Sequence, residues 1–183
     1  MARGRGEVDG LDLDRDAALV RERVAYLSHA TGLYDDLTAR ENLRFAAAML
    51  ATPDAPARVD RALADVALDA RADDRVRDFS AGMRKRLALG RILLGRPSLG
   101  LLDAPYAALD TDGMSIVDQL LVAWREAGVS ILIASHSTDR LAPHLDGTVV
   151  LERGVVAAVS GEGVASLPVG PAGATSRVAE AIQ

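Results

Sequence analysis

Apolar residues fall along the chain in two kinds of run. Val24-Ala25-Tyr26-Leu27-Ser28, Leu99-Gly100-Leu101-Leu102-Asp103 and Val129 to Ala134 are short and continuous. That is the form taken by strands covered on both faces. Between them, apolar positions recur at helical spacing. Thr38 followed three residues later by Glu41 predicts a capping box that opens a helix running to about Leu50. Pro53 and Pro56 break it, and a second helix is predicted over 57–67, with Val59, Leu63 and Val66 on one face. Ser80 caps a third helix, which carries Leu87, Leu89, Ile92 and Leu93 before Gly95 and Pro97 end it. A fourth is predicted from Gly113 to about Ala127, stopped by Gly128. Thr148 to Glu152 and Val155 to Val159 predict a hairpin around Arg153-Gly154. Strands alternating with helices predict an α/β fold built on a parallel sheet. The Pro- and Gly-rich stretch 168–183 predicts a loosely ordered tail.

Composition narrows the class without touching the chemistry. The chain has 183 residues, 49% hydrophobic and 26% charged, which suits a soluble globular domain. Aromatics are only 3%, so Ala, Leu and Val must build the core. The net charge is −5, and no basic stripe with interleaved aromatics is visible, which argues against a nucleic-acid partner. Arg84-Lys85-Arg86 is the one dense basic cluster, too short for such a footprint. The absence of cysteine excludes disulfides, thiolate nucleophiles and Cys-ligated metals. The three histidines are scattered, without metal-ligand spacing. Apolar runs of about 5–10 residues are too short to span a bilayer. Met1 to Gly10 is polar and does not read as a secretory signal. The expected location is the cytoplasm.

Three segments carry candidate chemistry. Ser80 and Gly82 open a helix, where free N–H groups and a hydroxyl can meet a phosphate. The same residues also read as an ordinary N-cap with a small residue for close packing. Leu99 to Asp103 is a strand that delivers a carboxylate to the C-terminal edge of a parallel sheet, where ligands bind. There Asp103 can hold Mg²⁺ through water, or serve as a turn former. Ile131 to His136 is a strand closing on an imidazole, catalytic or simply at the surface.

Taken in order, these segments resemble the ATP-binding subunit family of ABC transporters. Ser80-Ala81-Gly82-Met83 matches that family's signature, Leu-Ser-Gly-Gly-Gln, with two substitutions. Leu99 to Asp103 matches its Walker B strand, Ala108-Leu109-Asp110 its D-loop, and His136 its switch histidine. Upstream, Gly32-Leu33-Tyr34 through Asp36-Leu37-Thr38 to Glu41-Asn42-Leu43 resembles the start of the helical subdomain. The resemblance covers roughly residues 6–159. Within the family, Tyr26-Leu27-Ser28-His29 through Leu43-Arg44-Phe45 is similar to the haem-exporter subunits of cytochrome c maturation.

The resemblance implies a P-loop NTPase fold of RecA-like type, with a helical subdomain inserted at about 38–94 and one ATP-binding domain over 1–167. It implies ATP and Mg²⁺ as cofactors. Ser80, Ala81, Gly82 and Met83 would face the nucleotide held by a second ATP-binding subunit. Asp103 would hold Mg²⁺, Asp110 the dimer contact, and His136 the γ-phosphate. It also implies a transmembrane partner, docked near Tyr34 and the helices at 38–50 and 57–67, and a peripheral place at the inner face of the membrane.

The chain departs from the family pattern in three places. Its one lysine is Lys85, in the signature helix, and no Gly-x-x-x-x-Gly-Lys occurs. The expectation is a chain shortened at its N-terminus, with an incomplete sheet and an exposed apolar edge. Ala104 stands where the family has the glutamate that polarises water. Losing such a base costs about 10²–10⁴-fold in rate. The residue also reads as a small one in a tight turn before Pro105. His29 stands at the Q-loop glutamine, and imidazole is a poorer ligand for a hard cation than an amide oxygen. The leading expectation is an ATP-binding subunit of a membrane exporter, with haem as candidate cargo. The alternative is a non-hydrolysing module that pairs with an intact subunit and regulates it. A translation or DNA-repair ABC protein would carry tandem domains or a long coiled coil, and neither is visible.

Overall fold

The computed structural model of the chain describes residues 6–136 and 138–161. The chain forms two units, residues 1–136 and 137–183.

The first unit opens on an antiparallel hairpin, β1 (Glu7–Val8) and β2 (Leu11–Asp12). Asp9 and Gly10 make its turn at φ 51° and 75°, the left-handed pair that a two-residue hairpin requires. Helix α1 (Ala17–Arg23) comes next and runs straight into β3 (Val24–Leu27). Strands β4 (Leu99–Asp103) and β5 (Ser130–Ala134) complete a parallel sheet in the order β3-β4-β5. Leu27 lies opposite Leu102, and Asp103 opposite Ala134, so all three strands end along one edge. The predicted α/β class holds. The expectation of strands covered on both faces needs correction at both edges of the sheet: in β5 no residue is buried and Leu132 is exposed, and β3 is covered on one face. Ala25 and Leu27 are buried, but Tyr26, on the other face of an edge strand, is exposed.

Between β3 and β4 in the chain, helices α2 (Ala39–Met49), α3 (Ala55–Asp65) and α4 (Ala81–Leu93) pack against one another. The capping box of α2 is present: Glu41 N–H donates to Thr38 Oγ1 at 3.1 Å and Thr38 N–H to the Glu41 carboxylate at 2.8 Å. Buried Asn42 donates from Nδ2 to the carbonyls of Tyr34 and Thr38, both at 3.0 Å, and accepts from Tyr34 N–H at 2.8 Å. One amide thereby fixes the loop entering α2. Helix α3 starts at Ala55, not 57, because Pro56 sits in the first turn, where a missing N–H costs nothing. Val59, Leu63 and Val66 are all buried, as their spacing predicts. Short 3₁₀ turns at Asp69–Arg71 and Val76–Asp78 lead into α4.

Helix α5 (Thr111–Glu126) returns the chain from β4 to β5 and lays Trp124 on the sheet. A Cβ built on Gly100 would stand 2.2 Å from Trp124 Cζ3, so the indole rests directly on the backbone of β4. Gly128, at φ 75°, ends the connection.

In the second unit a 3₁₀ turn at Ala142–His144 precedes the hairpin of β6 (Gly147–Glu152) and β7 (Val155–Gly161). Arg153 and Gly154 turn it at φ 51° and 81°, where the sequence places the turn. The tail expected at 168–183 lies outside the described residues.

Candidate functional site

Two chain segments meet at the C-terminal edge of the sheet. The first is the start of α4. Ser80 is its N-cap, and its Oγ accepts from Met83 N–H at 3.2 Å. The Ser80 carbonyl accepts from Arg84 N–H at 2.9 Å. Among the described residues the N–H groups of Ala81 and Gly82 have no acceptor, at the positive end of a 13-residue helix. Ser80 and Ala81 are exposed, while Gly82 and Met83 are half-buried.

The second segment is the loop from Asp103 to Asp110. Asp103 closes β4, half-buried. Ala104 adopts φ 42°, and its N–H donates to the Ala134 carbonyl of β5 at 2.9 Å. Ala108 also lies in the left-handed region, at φ 63°. Asp110 caps α5, accepting from Gly113 N–H at 2.9 Å. The Arg86 guanidinium donates to the same carboxylate, and together with that N–H it holds the Asp110 carboxyl below the usual carboxylate range.

The two segments are latched together. A Cβ on Gly82 would stand 3.0 Å from the Ala108 carbonyl oxygen, so the loop closes directly over the first turn of α4. Arg86 and Asp110 form the second latch. Deeper in, Lys85 Nζ donates to the Asp103 carbonyl at 3.3 Å from a nearly closed site, 5% exposed. Burial lowers the Lys85 ammonium from its ordinary range, and the nearby Asp103 charge partly restores it.

The geometry thus gathers Ser80, Ala81, Gly82, Met83, Asp103, Ala104 and Asp110 around one loop. His136 comes two residues after β5, past Ala134, the partner of Asp103 in register, and is exposed. His29 comes two residues after β3 on the same edge and is also exposed. No hydrogen bond joins the Asp103 carboxylate, His29 and His136 among the described residues. The simpler roles of Ser80 and Ala104 hold as well. Ser80 does cap its own helix, and Ala104 does sit in a tight turn.

The latches themselves escape a reading of the sequence. Arg84-Lys85-Arg86 reads as a basic cluster, yet Lys85 shares a helical face with Ala88, Leu89 and Ile92, all buried. That i, i+3, i+4, i+7 spacing is the one signal available.

The site fits part of a nucleotide. Free N–H groups and a hydroxyl at the start of α4 suit a terminal phosphate, and one half-buried carboxylate suits a hydrated Mg²⁺. No group of three His, Asp or Glu able to hold a metal ion occurs among the described residues. The one lysine is committed to a backbone carbonyl and cannot wrap phosphates.

Comparison with known proteins gives the family. The family model described as ABC transporter matches residues 1–107. The cytochrome c biogenesis ATP-binding export protein CcmA of Bordetella bronchiseptica is 41% identical over 134 residues, 72% of this chain and 60% of that protein. The protein of the same name from Xanthomonas axonopodis pv. citri is 41% identical over 135 residues, 73% of this chain and 61% of that protein. The chain thus spans about three fifths of the length of the curated relatives it matches. Among solved structures, an ATP-binding subunit of an ABC transporter superposes with a TM-score of 0.79 at 26% identity, covering 87% of this chain and 68% of that one. A dimeric ATP-binding cassette in a post-hydrolysis state with ADP and phosphate gives a TM-score of 0.76 at 23% identity, over 87% of this chain and 73% of that one, and shows the fold alone. A signature-type helix latched to the loop after an Asp-ended parallel strand, and a family match over residues 1–107, lead to one conclusion: the chain belongs to the ABC transporter family, among its ATP-binding subunits.

Proposed function

We propose that the chain acts as an ATP-binding subunit of an ABC-type membrane exporter and presents its signature face to a nucleotide held by a second ATP-binding subunit. One observation carries this reading. The start of α4 is held against the loop between Asp103 and Asp110, so the helix end proposed to face a phosphate and the strand end proposed to hold a metal are tied together. Ser80 Oγ and the Ala81 and Gly82 N–H groups would meet the terminal phosphate across the interface. Asp103 would hold Mg²⁺ through water, and His136 would reach the γ-phosphate. His29 would take the Q-loop place beside them, and Asp110 the dimer contact. When bound, Mg²⁺ would neutralise phosphate charge that builds up during transfer.

The relatives are named as export proteins of cytochrome c biogenesis. That supports export in cytochrome c biogenesis; haem as the cargo is the finer proposal and rests on the resemblance of Tyr26 to His29 and Leu43 to Phe45 to haem-exporter subunits. A peripheral place at the inner face of a membrane is part of the proposal; no helix among the described residues is long and apolar enough to cross one. The transmembrane partner has a suitable seat. Tyr26, Tyr34, Phe45, Met49 and Leu50, all exposed, line a hollow of about 310 Å³ between β3, α2 and α4. Tyr34 and Phe45 meet edge-on with centroids 5.1 Å apart, giving the hollow a firm aromatic wall. Clustered exposed apolar side chains of this kind mark interaction surfaces.

A second reading rests on Ala104. Its methyl group cannot accept a proton, so a site built around this Asp103 lacks its base, at a cost of about 10²–10⁴-fold in rate. Under that reading the chain is a non-hydrolysing partner that completes and regulates an intact subunit's site.

Both readings give the same result for the 183-residue chain by itself, which has no Gly-Lys-Ser/Thr loop. Calorimetry with Mg·ATP should detect negligible affinity for the chain alone. Heat of binding should appear when an ATP-binding subunit carrying that loop is added, beyond the heat that subunit gives by itself. A micromolar dissociation constant for the chain alone would contradict the proposal.

A further inference from the structure

Lys85 is an anomaly of placement. It occupies a core-facing position of α4, in line with Ala88, Leu89 and Ile92, where an apolar residue is the default. A buried ammonium must find compensation or destabilise the fold. Here the compensation is its 3.3 Å hydrogen bond to the Asp103 carbonyl.

That carbonyl belongs to the peptide joining Asp103 to Ala104. The same peptide's N–H, on Ala104, donates to the Ala134 carbonyl at 2.9 Å. One peptide plane is therefore held at both ends, by α4 on one side and β5 on the other. Immediately beyond it the backbone is unusual: Ala104 stands at φ 42°, a conformation non-glycine residues rarely adopt. Such a residue persists only where its surroundings over-determine it. Two hydrogen bonds on one peptide do so.

We infer that Lys85 is a positioning residue: through the Asp103 carbonyl it fixes the strand-end peptide, and with it the direction in which the Asp103 carboxylate leaves the sheet. Lys85 lies in α4, less than one turn after Gly82 and about one and a half turns after the N-cap Ser80. A shift of the signature end therefore reaches Asp103 through a rigid strut. The clamp itself is a statement about geometry. Its consequence for a metal rests on the proposed role of Asp103.

The test compares the full chain with Lys85→Met, which keeps the apolar stem and removes the donor, and with Lys85→Arg, which keeps cation and donor. Amide hydrogen exchange is read at Ala104, with Leu102 in mid-strand as reference and the melting temperature as a folding control. Lys85→Met should speed exchange at Ala104 by roughly tenfold, the effect of losing one charged hydrogen bond. Lys85→Arg should restore it to within about threefold, and Leu102 should be unchanged in both. Exchange at Ala104 that stays within about twofold of wild type in a folded Lys85→Met overturns the inference. If Lys85→Met does not fold, the wild-type chain decides. Its single lysine should react with an amine-directed ester on the order of 100-fold more slowly in the folded chain than in the same chain unfolded in denaturant, because a buried, hydrogen-bonded ammonium reacts only when the structure opens. Equal rates overturn the clamp.

A second readout uses Mn²⁺ alone. Broadening of the Asp103 and Ala104 amide signals in the wild type, lost in a folded Lys85→Met and regained in Lys85→Arg, supports the metal consequence. Exchange behaving as expected while Mn²⁺ broadens nothing in the wild type upholds the clamp and counts against the role assigned to Asp103. Broadening unchanged in a folded Lys85→Met overturns the claim that the clamp directs the carboxylate.

Discussion

Gly100→Ala should destabilise the protein by about 3 kcal/mol, the upper end of the usual cost of overpacking a core. The glycine lies in β4, the central strand of the sheet, and the indole of Trp124 sits where a side chain would be. A methyl there would lie 2.2 Å from Cζ3 and 2.8 Å from Cε3. Trp124 has nowhere to retreat, being buried between α5 and the sheet. For a domain of this size the melting temperature should fall by roughly 6–12 °C. Trp124→Phe in the same background should recover part of the loss, because the smaller ring frees the space the methyl needs. A double-mutant cycle measures that coupling. Strictly additive effects would show that the contact does not hold the strand. The consequence reaches function, because β4 carries Asp103 at its end.

Ser80→Asp should leave the fold intact and silence the composite nucleotide site. Aspartate caps helices as well as serine does, so the loss of stability should stay within about 0.5 kcal/mol. Its charge, however, would stand where the proposed terminal phosphate comes to rest. When the chain is paired with an ATP-binding subunit that carries a phosphate-wrapping loop, turnover should drop by about 10²–10³-fold, the scale of losing one contact to developing charge. This separates the two roles of Ser80. If capping is its whole task, Ser80→Asp will melt and turn over as the wild type does. Steady-state ATP hydrolysis by the pair, beside a thermal melt of the variant, distinguishes the cases.

The legible part of the fold is set by local physics. Thr38 and Glu41 announce their capping box by spacing, and the box is present. Ser80 announces its helix start in the same way. The runs ending at Leu27, Asp103 and Ala134 do form three parallel strands, but the pattern overstates their cover, since Tyr26 and Leu132 on the two edge strands are exposed. Short elements escape. β1 and β2 have two residues each, too few for any alternation to register, although Asp9-Gly10 marks their turn. α1 escapes for a related reason, as seven residues with one buried side chain carry almost no amphipathic signal. Pro56 reads as a breaker but serves as an opener, an ambiguity that proline always carries near a helix start.

The candidate site is legible as a set of residues and illegible as a set of contacts. Ser80, Asp103, Asp110 and His136 can be picked out one by one from motif order. The first three are joined through Gly82 against Ala108, Arg86 on Asp110, and Lys85 on the Asp103 carbonyl. The residues so joined stand 18 to 26 positions apart, and no local pattern encodes them. The two left-handed alanines, Ala104 and Ala108, are equally silent, since alanine gives no hint of positive φ.

The proposed function requires that the start of α4 and the loop after Asp103 face one nucleotide. The direct measurement is paramagnetic broadening by Mn·ATP in the isotope-labelled chain, paired with an unlabelled subunit that carries a phosphate-wrapping loop. Signals of Ala81, Gly82 and Asp110 should broaden, while those of Val59 and Leu63 in α3 should stay sharp. Broadening centred on α3, with Ala81 and Gly82 unaffected, would contradict the shared site.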